Sequence, residues 1–215
     1  ALPPDPSDVR VGLTDGIRGL RIAYSPTLGY ARGLHPEIAA ALEGVALTLR
    51  ELGALVEAVD PGFEDPLEIT TGLWFAGAWQ VWQTLSPEQQ AQTDPDFRAQ
   101  ALLGERLGVN DLHALTQRRG LLGSHMRQFM TRYDLLLTPS VAVPAFEVRE
   151  PGSVPMNADA MLGWTPYSYP FNLTQQPAIT VPCGLTRSGL PMGVVVRCRE
   201  FEVPRLCACV SDFWR

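Results

Sequence analysis

Thr138 and Ser140 flank Pro139 at the end of a run of three leucines, and Cys183 sits in a Val-Pro-Cys-Gly turn. Hydroxyls just beyond a strand suit the edge of a ligand pocket, because ligands in open α/β sheets bind outside the carboxyl ends of the strands. Turn chemistry at the strand end accounts for them equally well. Cys183 is a thiol nucleophile only if His35, His113 or His125 folds against it as a base. Nine serines and three histidines allow many Ser-His-Asp sets on paper, but there is no Gly-x-Ser-x-Gly elbow to single one out. All 17 basic residues are arginine. Without a lysine, lysine-based nucleophile activation is closed to these residues.

A second group suits either binding or core packing. Trp164, Tyr167, Tyr169 and Phe171 lie within eight residues, interleaved with Pro166 and Pro170, and lead into Asn172 and Thr174. Prolines fix φ and lack a donor, so this segment is expected as a stiff aromatic loop rather than a regular element. It feeds a short apolar strand from Ala178 to Val181. A rigid aromatic loop beside a buried strand suits the wall of a small-molecule pocket, and core packing is the plainer alternative. Arg119 interrupts an apolar helical stripe, so it either snorkels, pairs with an acid, or contacts a substrate carboxylate.

The elements that position these groups are legible from periodicity. Leu20 to Tyr24 alternate as a strand. Pro36 opens a helix with Ile38, Leu42, Val45, Leu49 and Leu52 on one stripe, closed at Gly53, and Leu55 to Val59 form the next strand. Strand, helix, strand at this spacing predicts a parallel pair with a right-handed crossover. A helix from Asp65-Pro66 is expected to bury Trp74, Ala78, Val81 and Leu85. Shorter helical pieces start at Ser86-Pro87 and Asp94-Pro95. A long helix from Asn110 to about Arg132 carries Leu112, Leu115, Leu122, Met126 and Phe129, with Gly120 and Gly123 suggesting close packing against a neighbour. Leu135-Leu136-Leu137 reads as a strand buried on both faces. Strands near 178–182 and 193–197 and a helix from Val203 to Trp214 close the chain. Pro144, Pro151 and Pro155, with Met156 and Met161, mark a loop suited to covering a site.

The chain has 215 residues and net charge −6, which gives no basic surface for nucleic acid. No apolar run approaches a membrane span and no signal-peptide pattern opens the chain. Cys183, Cys198, Cys207 and Cys209 lack zinc-site spacing and read as free thiols in a reducing, cytoplasmic setting. No cofactor or metal is expected. Residues 1–16, rich in proline and acids, read as a linker or strap, and 17–215 as one α/β unit. The first methionine is Met126, so the chain is expected to be processed, truncated or a piece of something longer.

Phe171-Asn-Leu-Thr-Gln-Gln-Pro-Ala-Ile-Thr-Val-Pro-Cys-Gly184, followed by Gly189-Leu-Pro-Met-Gly193, resembles the C-terminal half of the amidase signature family. Gly19 to Tyr24, the helix and strand up to Asp60, and Tyr133 to Pro139 follow in the order that family uses, so the resemblance covers nearly the whole chain. It implies a mixed sheet of about five strands with helices on both faces, and amide hydrolysis by a serine, a second serine in a cis peptide, and a lysine. This chain holds neither the lysine nor a Gly-Ser-rich nucleophile stretch, so the resemblance assigns it no catalytic residue. What carries over is a pocket half: Thr138, Pro139, Trp164, Thr165, Tyr169, Phe171 and Asn172. The partners implied are a small-molecule amide and an N-terminal half of the same enzyme, with a homo-oligomer left open. A non-catalytic binding domain and part of the A subunit of a tRNA-dependent amidotransferase are the other readings. Two departures stand out: Gln175 replaces the family's usual glycine, and Val195 replaces a usual glutamine.

Overall fold

The computed structural model describes residues 14–148, 162–199 and 203–213. Met156, Met161, Pro151, Pro155 and most of the proline-rich N-terminal segment lie outside the described residues. A five-stranded mixed sheet runs in the order β2-β1-β3-β5-β4. Its strands are β1 (Arg21–Tyr24), β2 (Leu55–Ala58), β3 (Leu135–Pro139), β4 (Ala178–Leu185) and β5 (Pro191–Cys198). β1 pairs in parallel with β2 and with β3, as the strand–helix–strand spacing predicts, and β5 runs antiparallel between β3 and β4.

The crossover helix α1 (Pro36–Glu51) starts on Pro36 with the His35 ring accepting from the Glu37 amide, and it buries Ile38, Leu42, Val45 and Leu49. Leu42, Val45 and Leu49 pack on one sheet face against Ile22, Leu135, Leu137, Val194 and Val196. The last helix, α7 (Val203–Phe213), adds Leu206 and Cys209 to the same layer. Asp134 anchors it, accepting from the Arg21 amide at 2.8 Å and pairing with Arg205. The other face carries Ala23 and Leu136 against Met126 and Phe129 of α5 (Val109–Phe129), together with Tyr133, Tyr167 and Phe171.

Between β2 and α5 lie α2 (Leu67–Thr84), α3 (Pro87–Ala91) and α4 (Pro95–Glu105). The expected buried stripe of α2 is corrected: Ala78 is buried, but Trp74 is 58 % and Val81 51 % exposed. The reason is the crossing with α4. A Cβ on Gly104 would lie 1.9 Å from the Phe75 carbonyl oxygen, so the two backbones touch there. That contact turns Trp74 outward over α4, where its indole donates to Gln100 at 2.7 Å. The close-packing glycines are therefore Gly104 and Gly72, where a Cβ would lie 2.6 Å from the Leu115 side chain; a Cβ on Gly120 would meet nothing within 4 Å, and one on Gly123 only the Arg127 side chain.

The second correction is α6 (Tyr169–Thr174), a helix where a loop was expected. Pro170 falls in its first turn, where the missing N–H has no partner to lose. The helix ends on Gln175 at φ 63°, ψ 25°, the left-handed backbone that glycine adopts without cost. β4 also runs past Pro182 to Leu185, through an irregularity between Pro182 and Gly184. A proline is tolerated there because β4 is an edge strand.

Candidate functional site

Thr138 and Pro139, at the carboxyl end of β3, are buried rather than rimming an opening. Side chains alternate across a strand, so Leu136, Thr138 and Ser140 share the face covered by α5 and α6. The register places Arg197 of β5 opposite Leu136 and Val195 opposite Thr138. Arg197 is only 3 % exposed. Its Nη1 donates to Thr138 Oγ1 at 2.6 Å, its Nη2 donates to the Tyr167 carbonyl at 2.5 Å, and the guanidinium lies 3.7 Å from the centre of the Phe171 ring. Arg197 thus joins Thr138 and Phe171, two of the residues singled out from the sequence. Its Nε has no partner, and no described carboxylate pairs with it. Burial pushes its pKa down to about 9, with Tyr30 acting weakly in the other direction.

The segment above this floor is pinned by tyrosines. Tyr30 donates to the Pro166 carbonyl at 2.5 Å and Tyr167 to the Pro26 carbonyl at 2.7 Å. Burial pushes the Tyr167 phenol up to about 12 and raises Tyr30 as well, so both stay protonated donors. Tyr169 turns away from Thr138. Its hydroxyl donates to Asp65 at 2.8 Å, and its ring borders a cavity of about 230 Å³ with Tyr30, Ala31, Asp65 and Pro166. Trp164 is 41 % exposed and packs edge-on to Phe146, while its carbonyl accepts from Ala142 just past β3. Thr165 bonds back to the Leu162 carbonyl, and Asn172 is exposed on α6. Arg119 donates from Nε to the Leu173 carbonyl at 2.9 Å, satisfying an orphan at the end of α6, a structural role.

Two features extend the floor. Ser140 Oγ is buried without a partner, and a Cβ on Gly193 would stand 3.0 Å from it. Beyond β5 the same face continues through Ala178, Thr180 and Pro182 of β4, all exposed. Cys183 lies on the opposite face, and burial pushes its thiol up from the ordinary value, the reverse of activation. A cleft of about 620 Å³ lies between Arg21, Arg50, Leu55 and Arg132 at the other end of the strands and does not include Thr138. Among the described residues no helix is long and apolar enough to cross a membrane.

Sequence reasoning noticed Ser140 but not Arg197, which stands two residues past the departure at Val195. A charged residue inside a strand that is otherwise valine is the signal that was available; its direction needs the register.

Over residues 2–207 the chain matches the Amidase family. An acylamidase of Rhodococcus erythropolis is 30 % identical over 190 residues, which are 86 % of this chain and 39 % of that relative. In Synechococcus sp. (strain CC9605), the A subunit of the glutamyl-tRNA(Gln) amidotransferase is 30 % identical over 227 residues, covering 94 % of this chain and 46 % of the relative. Among solved structures, a bacterial aryl acylamidase of the amidase signature family superposes with a TM-score of 0.81 at 24 % identity, covering 96 % of this chain and 45 % of that one. A 6-aminohexanoate cyclic dimer hydrolase complexed with substrate gives 0.85 at 18 % identity, covering 98 % and 48 %. The chain spans about half the length of the relatives it matches.

Proposed function

The chain belongs to the Amidase family, and from that we propose that it is the C-terminal, substrate-pocket half of an enzyme that hydrolyses carboxylic amides to an acid and ammonia or an amine. The observation that carries this reading is the floor at the carboxyl end of β3. Thr138, Ser140, Arg197 and Phe171 meet on one sheet face, and that face is left open beside β4. In this reading the nucleophilic serine, the cis serine and the lysine belong to an N-terminal half. This half supplies the sheet, the aromatic wall and the fixed donors beside the reacting amide. Positioning of that kind reduces the entropy lost in reaching the transition state.

By itself the chain is inactive in this account. Serine hydroxyls are weak nucleophiles without an adjacent base, and the family's base is a lysine this sequence lacks. The test is a panel of aryl and alkyl amides assayed with the purified chain alone and with a complementary N-terminal half supplied in trans. Turnover only in the mixture is expected. Turnover by the lone chain, lost on substituting one of its serines or Cys183, overturns the assignment of roles. Equal identity to the glutamyl-tRNA(Gln) amidotransferase supports a second reading, in which the same half serves glutamine hydrolysis in that assembly. Turnover of glutamine by the mixture, with no turnover of aryl amides, selects it.

A further inference from the structure

The cleft at the open edge of the sheet collects cations that no described ion pair neutralises. It measures about 620 Å³, inside the range of small-molecule sites, and is bordered by Arg21, Arg50, Arg132, Glu57, Tyr133 and Leu55. Arg21 opens β1, Leu55 opens β2, and the two are register partners, so the cleft lies at the amino ends of these strands. Each arginine is held in place by neutral groups. Arg21 donates from Nη2 to the Thr131 carbonyl and Arg50 from Nη2 to the Val56 carbonyl, both at 3.4 Å. The Arg132 guanidinium lies over two rings, 5.3 Å from the centre of Phe129 and 5.6 Å from that of Tyr133. All three arginines are exposed, and among the described residues none of them is in an ion pair. Glu57, the carboxylate among the described lining residues, is turned to the Tyr133 hydroxyl, which donates to it at 2.9 Å. Burial and Glu57 push the Tyr133 phenol up while Arg132 and Arg21 both pull it down, so the two cations converge on one hydroxyl. Three arginines against one glutamate leave the described lining with a formal charge of +2. The edge strand adds a donor. The Leu55 and Val59 amides donate to carbonyls beside and within β1, so the Val56 amide points the other way, to the open edge where Arg50 meets the Val56 carbonyl.

We propose that this cleft binds a small phosphomonoester: the dianionic phosphate sits among Arg21, Arg50 and Arg132, with the Val56 amide as a further donor, and the organic part lies on Leu55. A phosphomonoester carries about −1.5 to −2 charges at pH 7, which matches the surplus in the cleft, whereas a monocarboxylate leaves half of it unmet. Guanidinium forks on separate elements suit the three free oxygens of a phosphate better than the two coplanar oxygens of a carboxylate. Leu55 is 61 % exposed and, with Val56, gives the organic part an apolar floor. A nucleic-acid strand fits less well, because beyond the cleft it meets a chain of net charge −6. The inference does not rest on the amide-hydrolysis reading, whose residues gather at the carboxyl end of β3.

The test titrates the folded chain with phenyl phosphate by calorimetry at constant ionic strength, beside phenyl sulfate, its monoanionic analogue, and inorganic phosphate. Saturable binding of one phenyl phosphate per chain is expected, tighter than that of either comparison ligand. Arg50→Gln and Arg132→Gln should each weaken it about tenfold, the loss of one charge-assisted hydrogen bond. Arg118→Gln makes the same change of charge at an exposed ion pair outside the cleft, and should leave binding within about twofold. A second readout needs no variant to fold. Phenyl phosphate should protect Arg21, Arg50 and Arg132 of the wild-type chain from phenylglyoxal, read by peptide mass mapping, while Arg118 stays reactive. Equal affinity for inorganic phosphate overturns the ester and leaves the free ion as the ligand. The site itself is overturned by an absence of saturation up to about 10 mM, well past a millimolar Kd, by equal binding of phenyl sulfate, or by equal effects at Arg118 and Arg50 in either experiment.

Discussion

Leu137 and Thr138 are neighbours on β3, both wholly buried, and they face opposite layers. Leu137 enters a layer that is apolar throughout, closed by α1 and α7. Thr138 enters a layer that holds a buried arginine, a partnerless serine hydroxyl and an uncovered flank on β4. The first face is arranged as a core is, with dispersion and burial as its only forces. The second gives up stability to a desolvated charge that apolar side chains of the same volume would avoid. Sheets that only need to fold do not require that, so under the proposed function the contrast separates a scaffold face from a working face.

The largest expected effect tests the scaffold side. Leu137→Ala should cost about 2–5 kcal/mol, through lost burial and the cavity left behind. Thr180→Ala on the open flank should stay within about 0.5 kcal/mol. Urea denaturation of the two variants measures both, and similar losses would erase the distinction between the faces.

Next comes a change of opposite sign. The depressed pKa of Arg197 means that the folded state holds its proton less tightly than the unfolded chain does. The buried charge, without a described countercharge, therefore weighs against folding at neutral pH. Arg197→Met should then stabilise the chain at pH 7, by about 1–4 kcal/mol. The gain should sit toward the lower end, because the Tyr167 carbonyl loses its donor. A destabilised Arg197→Met would show that three contacts offset the buried charge, which makes Arg197 a structural strut and the second face another core.

The smallest effect concerns the end of α6. Gln175 adopts a left-handed backbone that costs a non-glycine residue roughly 1–2 kcal/mol. Gln175→Gly relieves that strain but loosens the unfolded chain, so a net gain of about 0.5–1 kcal/mol is expected in Tm-derived stability. No gain would mean that the Gln175 side chain has a compensating role at the rim of the working face.

Much of the scaffold was legible because its signals are periodic. The α1 stripe from Ile38 to Leu49, the α5 stripe from Leu115 to Phe129 and the triple leucine of β3 each lie where spacing alone puts them. The strained turn at Gln175 was legible too, from a glutamine standing at a glycine position. The working face was harder. Pro166 and Pro170 read as helix breakers, yet a proline in the first turn starts a helix, and whether it breaks or starts depends on the residues that follow finding a packing partner. Trp74 looked like core because a stripe shows periodicity and not which side is covered. Arg197 stayed hidden because Val194, Val195 and Val196 do not alternate with polar residues, so nothing in sequence said which way the arginine points. Of the predicted wall residues, Phe171 and Thr138 are brought together through Arg197. Tyr169, Trp164 and Asn172 turn to other surroundings that only the tertiary arrangement could assign.

The account stands most directly on the claim that this half carries the wall and not the nucleophile. Reaction of the folded chain with a fluorophosphonate, read by intact mass spectrometry, tests it in one step, because only an activated serine is phosphonylated at useful rates. The predicted result is an unmodified chain under conditions that fully label a complete serine amidase. A single adduct on one serine, formed by the folded chain and lost on prior denaturation, would contradict it.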